Sequence, residues 1–529
     1  MTNSIQEMEQ CQVALVIGSN TTENHPVIGT VLRRAVQRGG AKIIVADPRR
    51  IGLVEDAALW VRQRPGTDLA LINAMIHVIL KEGLQDQAFI DERTENFEAL
   101  KESVRKYASA KAEKITGIPA ADIEAAARLY ATAERAAIFY AMGITQHVTG
   151  TDNVKALANL AMVCGHLGKP GSGVNPLRGQ NNVQGACDMG GLPGDLPGYQ
   201  KVANKEVLKR FKEQWNAKKL PSAPGLTLME IMDAAHKGSI KGLFILGENP
   251  MVSDPDTGHV EKALERLDFL VVADIFLTET AALADVVLPG ACWAEKEGTF
   301  TNTERRVQRV RKAVEAPGQA RADWELLNDL GQRLGLDWNY KEPKKIFKEI
   351  AEVTPAYAGI SHERLDSLGS LQWPCPDKKH PGTPILHTKA FTRGKGLFHV
   401  LEHQEPVERA DARYPFTLTT GRNLYHYHTR TMTGRSVGLN DLAPTCKVEI
   451  NPADAARLGV NNGELVQVSS RRGKIVASAC VIDRVAPGVV FLPFHYADAA
   501  ANMLTIGALD PVAKIPEFKV CAVQLKKVA

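Results

Sequence analysis

Apolar runs and amphipathic stretches alternate through the first third of the chain. Val13 to Ile17 is an unbroken apolar run that stops at Gly18-Ser19-Asn20, the pattern of a parallel strand buried on both faces. A helix is predicted next. Pro26 suits its first turn, Val27, Ile28, Val31, Leu32, Ala35 and Val36 recur at helical spacing, and Gly39-Gly40 closes it. A second apolar run, Ile43 to Ala46, ends at Asp47 and leads into Pro48-Arg49-Arg50. Strand, helix and strand, with an acid at the second strand's end, is the order of a nucleotide-binding βαβ unit. The G-x-G-x-x-G fingerprint is absent, and most such units simply build α/β sheets. Gly66 to Leu84 reads as a helix with Leu69, Ile72, Met75, Ile76 and Ile79 on one face, and Ile118 to Glu134 as another. Ala137 to Met142 is a third strand. Gly143, Gln146 and His147 follow it, where open sheets place ligands. For His147 alone, a satisfied structural histidine is the favoured reading.

The pattern then repeats. Tyr199 to Pro224 is polar and Lys-rich, a solvated face or linker. Gly242 to Leu246 is a strand ending in Gly247-Glu248-Asn249-Pro250, Phe269 to Ala273 another ending in Asp274, and Ala284 to Leu288 a short third. Arg305, Arg306, Arg309 and Arg311 form a basic run, read as a solvated face with its aliphatic stems packed down. Glu342 to Arg409 has little periodicity and reads as a long connection with short helices. From Tyr414 the rhythm changes to short β runs: Phe416 to Thr419, Lys447 to Ile450, Glu464 to Ser469, Lys474 to Val481 and Gly488 to Leu492. Asn461-Asn462-Gly463 and Arg472-Gly473 mark turns between them, which predicts a small barrel.

Length and composition refine this picture. At 529 residues the chain should hold about three domains. Its 44% hydrophobic and 23% charged residues are ordinary for a globular protein, and a net charge of +4 argues against nucleic-acid or membrane-surface partners. No apolar run reaches the ~18 residues of a membrane span, and MTNSIQEMEQCQ carries no signal-peptide pattern, so a cytoplasmic location is expected. None of the eight cysteines stands in a C-x-x-C pair, so zinc and iron–sulfur spacings are missing. Most of them are read as buried small hydrophobes.

Candidate chemistry concentrates in Pro176 to Gly191, PLRGQNNVQGACDMGG. Between Leu177 and Cys187 the only charge is Arg178, set among the amides of Gln180, Asn181, Asn182 and Gln184. Amides offer donors and acceptors to a nitrogen heterocycle, and a lone arginine suits a small oxyanion. A polar surface loop is the bland alternative. RGQNNVQGACDMG resembles the active-site segment of the catalytic subunit of molybdenum- or tungsten-dependent formate dehydrogenases, in the dimethyl sulfoxide reductase superfamily. GSNTTENHP and ADPRR resemble that family's dinucleotide segments. GENP, VVADIFLTETAALADVVLP and EGTFTN resemble its second nucleotide-binding domain. VEINPADAARLGVNNGELVQVSS and TTGRNLYHYHTRTMTG resemble its C-terminal barrel and cofactor-facing loop.

The resemblance implies an α/β fold of two doubly wound nucleotide-binding-like domains followed by a C-terminal β-barrel. The expected boundaries are 1–180, 181–292 with an incomplete sheet, 293–410 for the rest of the N-terminal lobe and the connection, and 411–529 for the cofactor-capping barrel. It implies bis(molybdopterin guanine dinucleotide) carrying molybdenum or tungsten, and reversible oxidation of formate to carbon dioxide with Arg178 as the catalytic residue, the isolated fragment being expected to be inactive because it lacks the metal ligand. Gly18, Asn20, Glu23, Asn24, Asp47, Arg49, Gly66, Asp68, Gly143 and Gln146 match positions holding one guanine dinucleotide, and Gln180 and Asn181 would contact the pterin. Glu248, Asn249, Asp274, Thr278, Gly421, Arg422, His426, His428, Asn502 and Lys519 match positions near the cofactor pair. His426 and His428 have no third ligand placed by spacing, so no metal site is assigned to them. The family's [4Fe-4S] cysteines and its metal-ligating cysteine or selenocysteine lie upstream of the equivalent of Met1. The expectation is a reading frame restarted after a selenocysteine codon, with a split gene, a deliberately shortened chain or a degenerate inactive subunit as alternatives. The missing portion or an iron–sulfur electron-transfer subunit is the expected partner. A non-catalytic scaffold subunit is the competing class, and the intact Arg178-Gly179-Gln180-Asn181 run speaks against it.

Overall fold

Val13–Ile17 forms β1 at the centre of a parallel sheet, flanked by β2 (Lys42–Ala46) and, beyond it, β3 (Leu59–Val61). On the other side lie β4 (Ala136–Tyr140) and β5 (Gly173–Pro176), so the order is 3-2-1-4-5. All five residues of β1 are buried, because the sheet carries a core on each face. Ala14 and Val16 pack with Ile28, Val31, Leu32 and Ala35 of one helix. Leu15 and Ile17 belong to the core on the opposite face, to which several other helices contribute. Five helices matter here: α1 (Thr21–Asn24), α2 (Pro26–Gly39), α3 (Asp68–Lys81), α4 (Ala120–Ala131) and α5 (Gly150–Val163). The computed structural model describes residues 1–528. They divide into two units, one made of Met1–Gly179, Val252–Gly258 and the chain from Ile385 onward, the other of Gln180–Met251 and His259–Pro384.

The second unit opens with α6 (Val183–Asp188). It contains a three-stranded parallel sheet of β6 (Gly242–Leu246), β7 (Phe269–Asp274) and β8 (Val286–Pro289), with β7 in the middle. It also contains an antiparallel sheet of β9 (Gly298–Thr301), β10 (Arg306–Val310) and β11 (Ser370–Gln372). Two sequence readings are corrected here. The Lys-rich segment after Tyr199 contains a helix, Lys205–Gln214, which buries Leu208 and Phe211 behind its charged face. Arg305, expected on a solvated face, is 2% exposed. Its guanidinium donates to the carbonyls of Trp373, Thr383 and Pro384, which lets a charge sit inside the fold. Asp188, at the end of α6, accepts from Gln184, Tyr199, Tyr357 and Trp373, so its buried carboxylate is saturated by neutral donors.

The first unit resumes as a closed six-stranded barrel. Its strands are β12 (Phe416–Gly421), β13 (Lys447–Ile450), β14 (Leu465–Ser469), β15 (Lys474–Val481), β16 (Val489–Pro493) and β17 (Cys521–Lys527), joined in the order 12-16-13-15-14-17. β12 with β16 and β13 with β15 are parallel pairs, and the rest are antiparallel. Alternate residues point inward, as Val466, Val468, Ile475, Ala477 and Ala479 show.

Candidate functional site

The carboxyl ends of β1, β2 and β4 open into a cleft with about 920 Å³ of empty space, and the barrel supplies the facing wall. This is where parallel open sheets bind ligands, since the loops there are free to diverge. Two of those loops cross at Gly18 and Gly143. The Gly143 N–H donates to the Gly18 carbonyl at 3.0 Å. Gly18 has φ +56°, and a Cβ on it would lie 2.7 Å from Gly143 C, while a Cβ on Gly143 would lie 2.5 Å from Gly18 O. Only glycine permits that crossing. The loop after β2 brings Asp47 and Arg49. The segment after β3 brings Gln63, Gly66 and Asp68. Thr420, Gly421 and Arg422 follow from β12, with Phe491, Phe494 and Lys519 from the rest of the barrel unit.

The barrel is pinned to the sheet by a buried bidentate pair. Arg49 donates from Nε at 2.7 Å and Nη2 at 2.5 Å to the two oxygens of Glu449, and its guanidinium lies 4.1 Å from the Phe491 ring centroid. The cleft is electrically tense. Burial pushes Asp47 up to about 6 despite the backbone N–H and charge of Arg49, and burial also raises Asp68. Burial, then the charge of Arg422, brings Lys519 down to about 7. Arg422 itself is pulled down to about 10 by burial. Lys519 Nζ donates to the Thr420 carbonyl at 2.7 Å, and among the described residues neither cation makes an ion pair. Six buried polar atoms on the cleft walls have no partner: Ser19 Oγ, Asn20 Nδ2, His25 Nδ1, Gln63 Oε1, His147 Nδ1 and Arg422 Nε. Orphaned polar atoms are costly when buried, so their convergence on one cleft marks a place built for a polar ligand.

The family model described as Molybdopterin oxidoreductase matches residues 1–333, and that described as Molydopterin dinucleotide binding domain matches residues 416–522. The chain belongs to the molybdopterin oxidoreductases. An F420-dependent formate dehydrogenase subunit alpha from Methanocaldococcus jannaschii is 53% identical over 532 residues, covering all of this chain and 78% of the relative. Formate dehydrogenase H from Escherichia coli is 40% identical over 534 residues, covering all of this chain and 74% of that one. Acetylene hydratase from Pelobacter acetylenicus shares the fold, with a TM-score of 0.76 at 21% identity over 99% of this chain and 81% of that one.

As a molybdopterin oxidoreductase the chain has a cleft whose residues fit a molybdopterin dinucleotide. The orphaned donors and acceptors suit a base and ribose, the glycine crossing lets backbone approach closely, and Arg422 with Lys519 suit phosphates. Of the residues singled out by sequence, Gly18, Asn20, Asn24, Asp47, Arg49, Gly66, Asp68, Gly143, Gln146, Gly421, Arg422 and Lys519 line it. Glu23 stands behind the wall, 3.9 Å from Arg49. The Arg178 carbonyl is held by His25, which lines the cleft. His426 is occupied within its own loop, by the Thr433 hydroxyl and the Ala443 carbonyl. His428 has φ +46° and is brought to about 4 by burial and then Arg422. Asn502 donates to the Val252 and Ser253 carbonyls.

The remaining candidates belong to the second unit. Gln180 and Asn181 precede α6. Glu248 and Asn249 follow β6, and Asp274 ends β7, so all three sit at carboxyl ends of parallel strands. Asn249 joins Glu279 and Thr280, and the Thr278 hydroxyl accepts from the Ala281 N–H. The structure corrects the reading of His147. Nε2 is 2.9 Å from the Gly143 carbonyl, but Nδ1 has no hydrogen-bond partner, and Glu517 is 3.7 Å away. It is a cleft histidine. Gln63, His25, Phe491 and Phe494 were not picked out from sequence. Their only local signal was proximity to the strand ends and to the GSNTTENHP segment.

Proposed function

We propose that this chain is the catalytic polypeptide of a formate dehydrogenase, and that its cleft holds one guanine dinucleotide of a bis(molybdopterin guanine dinucleotide) cofactor. What carries the reading is the cleft's ring of unpartnered buried polar atoms beside the Arg178 segment, in a chain matched along its whole length, at 53% identity, by 78% of a formate dehydrogenase relative. When bound, the cofactor with molybdenum or tungsten supplies the two-electron acceptor. Arg178 holds the formate carboxylate through charge-assisted bonds and stabilises charge as it develops. Gly18, Asn20, Asp68, Gly143 and Gln146 hold the dinucleotide's base and ribose, and Arg422 and Lys519 its phosphates. Glu248, Asn249 and Asp274 lie at strand ends suited to a second dinucleotide. The electrons leave to an iron–sulfur partner. No helix among the described residues is long and apolar enough to cross a membrane, and we place the enzyme in the cytoplasm.

The test is elemental and pterin analysis of the protein isolated with its physiological partners, followed by formate-dependent dye reduction. Bound pterin guanine dinucleotide with molybdenum or tungsten, and turnover of formate, support the reading. A partnered protein without pterin or metal supports a scaffold instead.

A further inference from the structure

The GSNTTENHP segment contributes a residue whose position is unusual. His25 stands between α1 and α2, with Pro26 fixing the chain direction behind it. Its Nε2 lies 2.7 Å from the backbone carbonyl of Arg178, 153 residues away. Its Nδ1 is buried without a partner, and the residue lines the cleft. A carbonyl can only accept, so Nε2 must carry the hydrogen. Burial, with the charge of Arg422, holds the ring's pKa below the ordinary histidine value despite the carbonyl's opposing pull. A neutral ring with its hydrogen on Nε2 leaves Nδ1 as a bare lone pair. The next peptide is braced too. A Cβ on Gly179 would collide with the Arg422 guanidinium, so that guanidinium packs directly on the glycine backbone. Arg422 also faces the cleft, with Nε unpartnered. The Arg178-Gly179 peptide is therefore gripped by two cleft residues, each with an unused polar atom.

We propose that His25 is a positioning residue that ties the ligand of the cleft to the Arg178 segment. Its Nε2–H holds the Arg178 carbonyl, and its Nδ1 accepts from an N–H or O–H donor of the dinucleotide. Phosphate oxygens cannot fill that place because they carry no donor, so the partner is a ribose hydroxyl or a ring or exocyclic N–H. A filled cleft then fixes the backbone from which the substrate arginine projects. The inference rests on the formate reading only for the last step.

The experiment has two arms. In the first, the full chain is labelled with ¹⁵N-histidine, and His25→Gln assigns the His25 signal. The expected result at pH 7 is the Nε2–H tautomer with an acceptor-type Nδ1. An Nδ1–H tautomer or an imidazolium overturns the proposal. In the second, His25→Gln and His25→Asn are compared in the cofactor-loaded enzyme at equal pterin content and equal thermal stability. Glutamine carries its amide donor out to the Nε2 position and keeps the Arg178 contact, whereas asparagine is too short. The expected result is a KM for formate within about threefold of the parent for His25→Gln and at least about tenfold higher for His25→Asn, with a smaller effect on kcat. Equal KM values in the two variants overturn the proposal. A loaded parent, isolated with its physiological partners, that leaves formate untouched defeats the formate reading, while the tautomer result still decides the role of His25.

Discussion

Removing Glu449 should unfasten the barrel from the sheet. Arg49 is 7% exposed and Glu449 6%, so Glu449→Ala strands a guanidinium that had two charge-assisted bonds. Deleting one partner of a buried ion pair costs about 3–5 kcal/mol, because the remaining charge stays desolvated. Glu23, 3.9 Å from Arg49, recovers part of that loss, as does the stack on Phe491. The expected cost is therefore near the low end, about 3 kcal/mol. Urea unfolding of the full chain gives the magnitude, and amide hydrogen exchange locates it at β13 and the loop after β2. Arg49→Met combined with Glu449→Leu should recover most of the loss, since a buried pair replaced by apolar groups of similar size is often neutral. A cost below about 1 kcal/mol for Glu449→Ala, or a double variant no more stable than the single one, would refute the reasoning.

Binding of guanosine diphosphate should weaken with rising pH. Asp47 becomes an anion above about 6 and Lys519 loses its charge above about 7, and both changes disfavour an anionic ligand. Affinity should be full below about 6, fall by up to about tenfold per pH unit between about 6 and 7 and more steeply above about 7, and Lys519→Gln should remove the steeper part of the decline in a calorimetric titration. Gly18→Ala should lower the melting temperature and the retained pterin together. Positive φ alone costs about 1–2 kcal/mol, and the added carbon meets the Gly143 backbone. A stable, pterin-replete Gly18→Ala variant would count against the crossing. Arg178→Lys, in the loaded enzyme, should lose roughly 100-fold in turnover, because an ammonium keeps the charge but not the planar fork. Steady-state formate oxidation within a few-fold of the parent would remove Arg178 from its assigned role.

Much of the architecture was legible in local pattern. The unbroken apolar runs at Val13 to Ile17 and Ile43 to Ala46 carried the pattern of strands covered on both faces. The alternation from Phe416 onward, with its Asn-Gly and Arg-Gly turns, carried the period of a barrel whose strands hide one face. Glycines at strand ends marked the loops that line the cleft. Tertiary structure decided the rest, because those outcomes join residues far apart in the chain. Arg49 and Glu449 are 400 positions apart, and His25 and Arg178 are 153 apart. No spacing rule links them. Arg305 looked solvated beside three other arginines until the Trp373, Thr383 and Pro384 carbonyls closed around it. His147 looked like a satisfied histidine until burial left Nδ1 without a partner. Sequence pattern determined which segments must hide an apolar face. Whether a polar atom finds a partner depends on which segments meet once those faces are hidden, and only the assembled fold decides that.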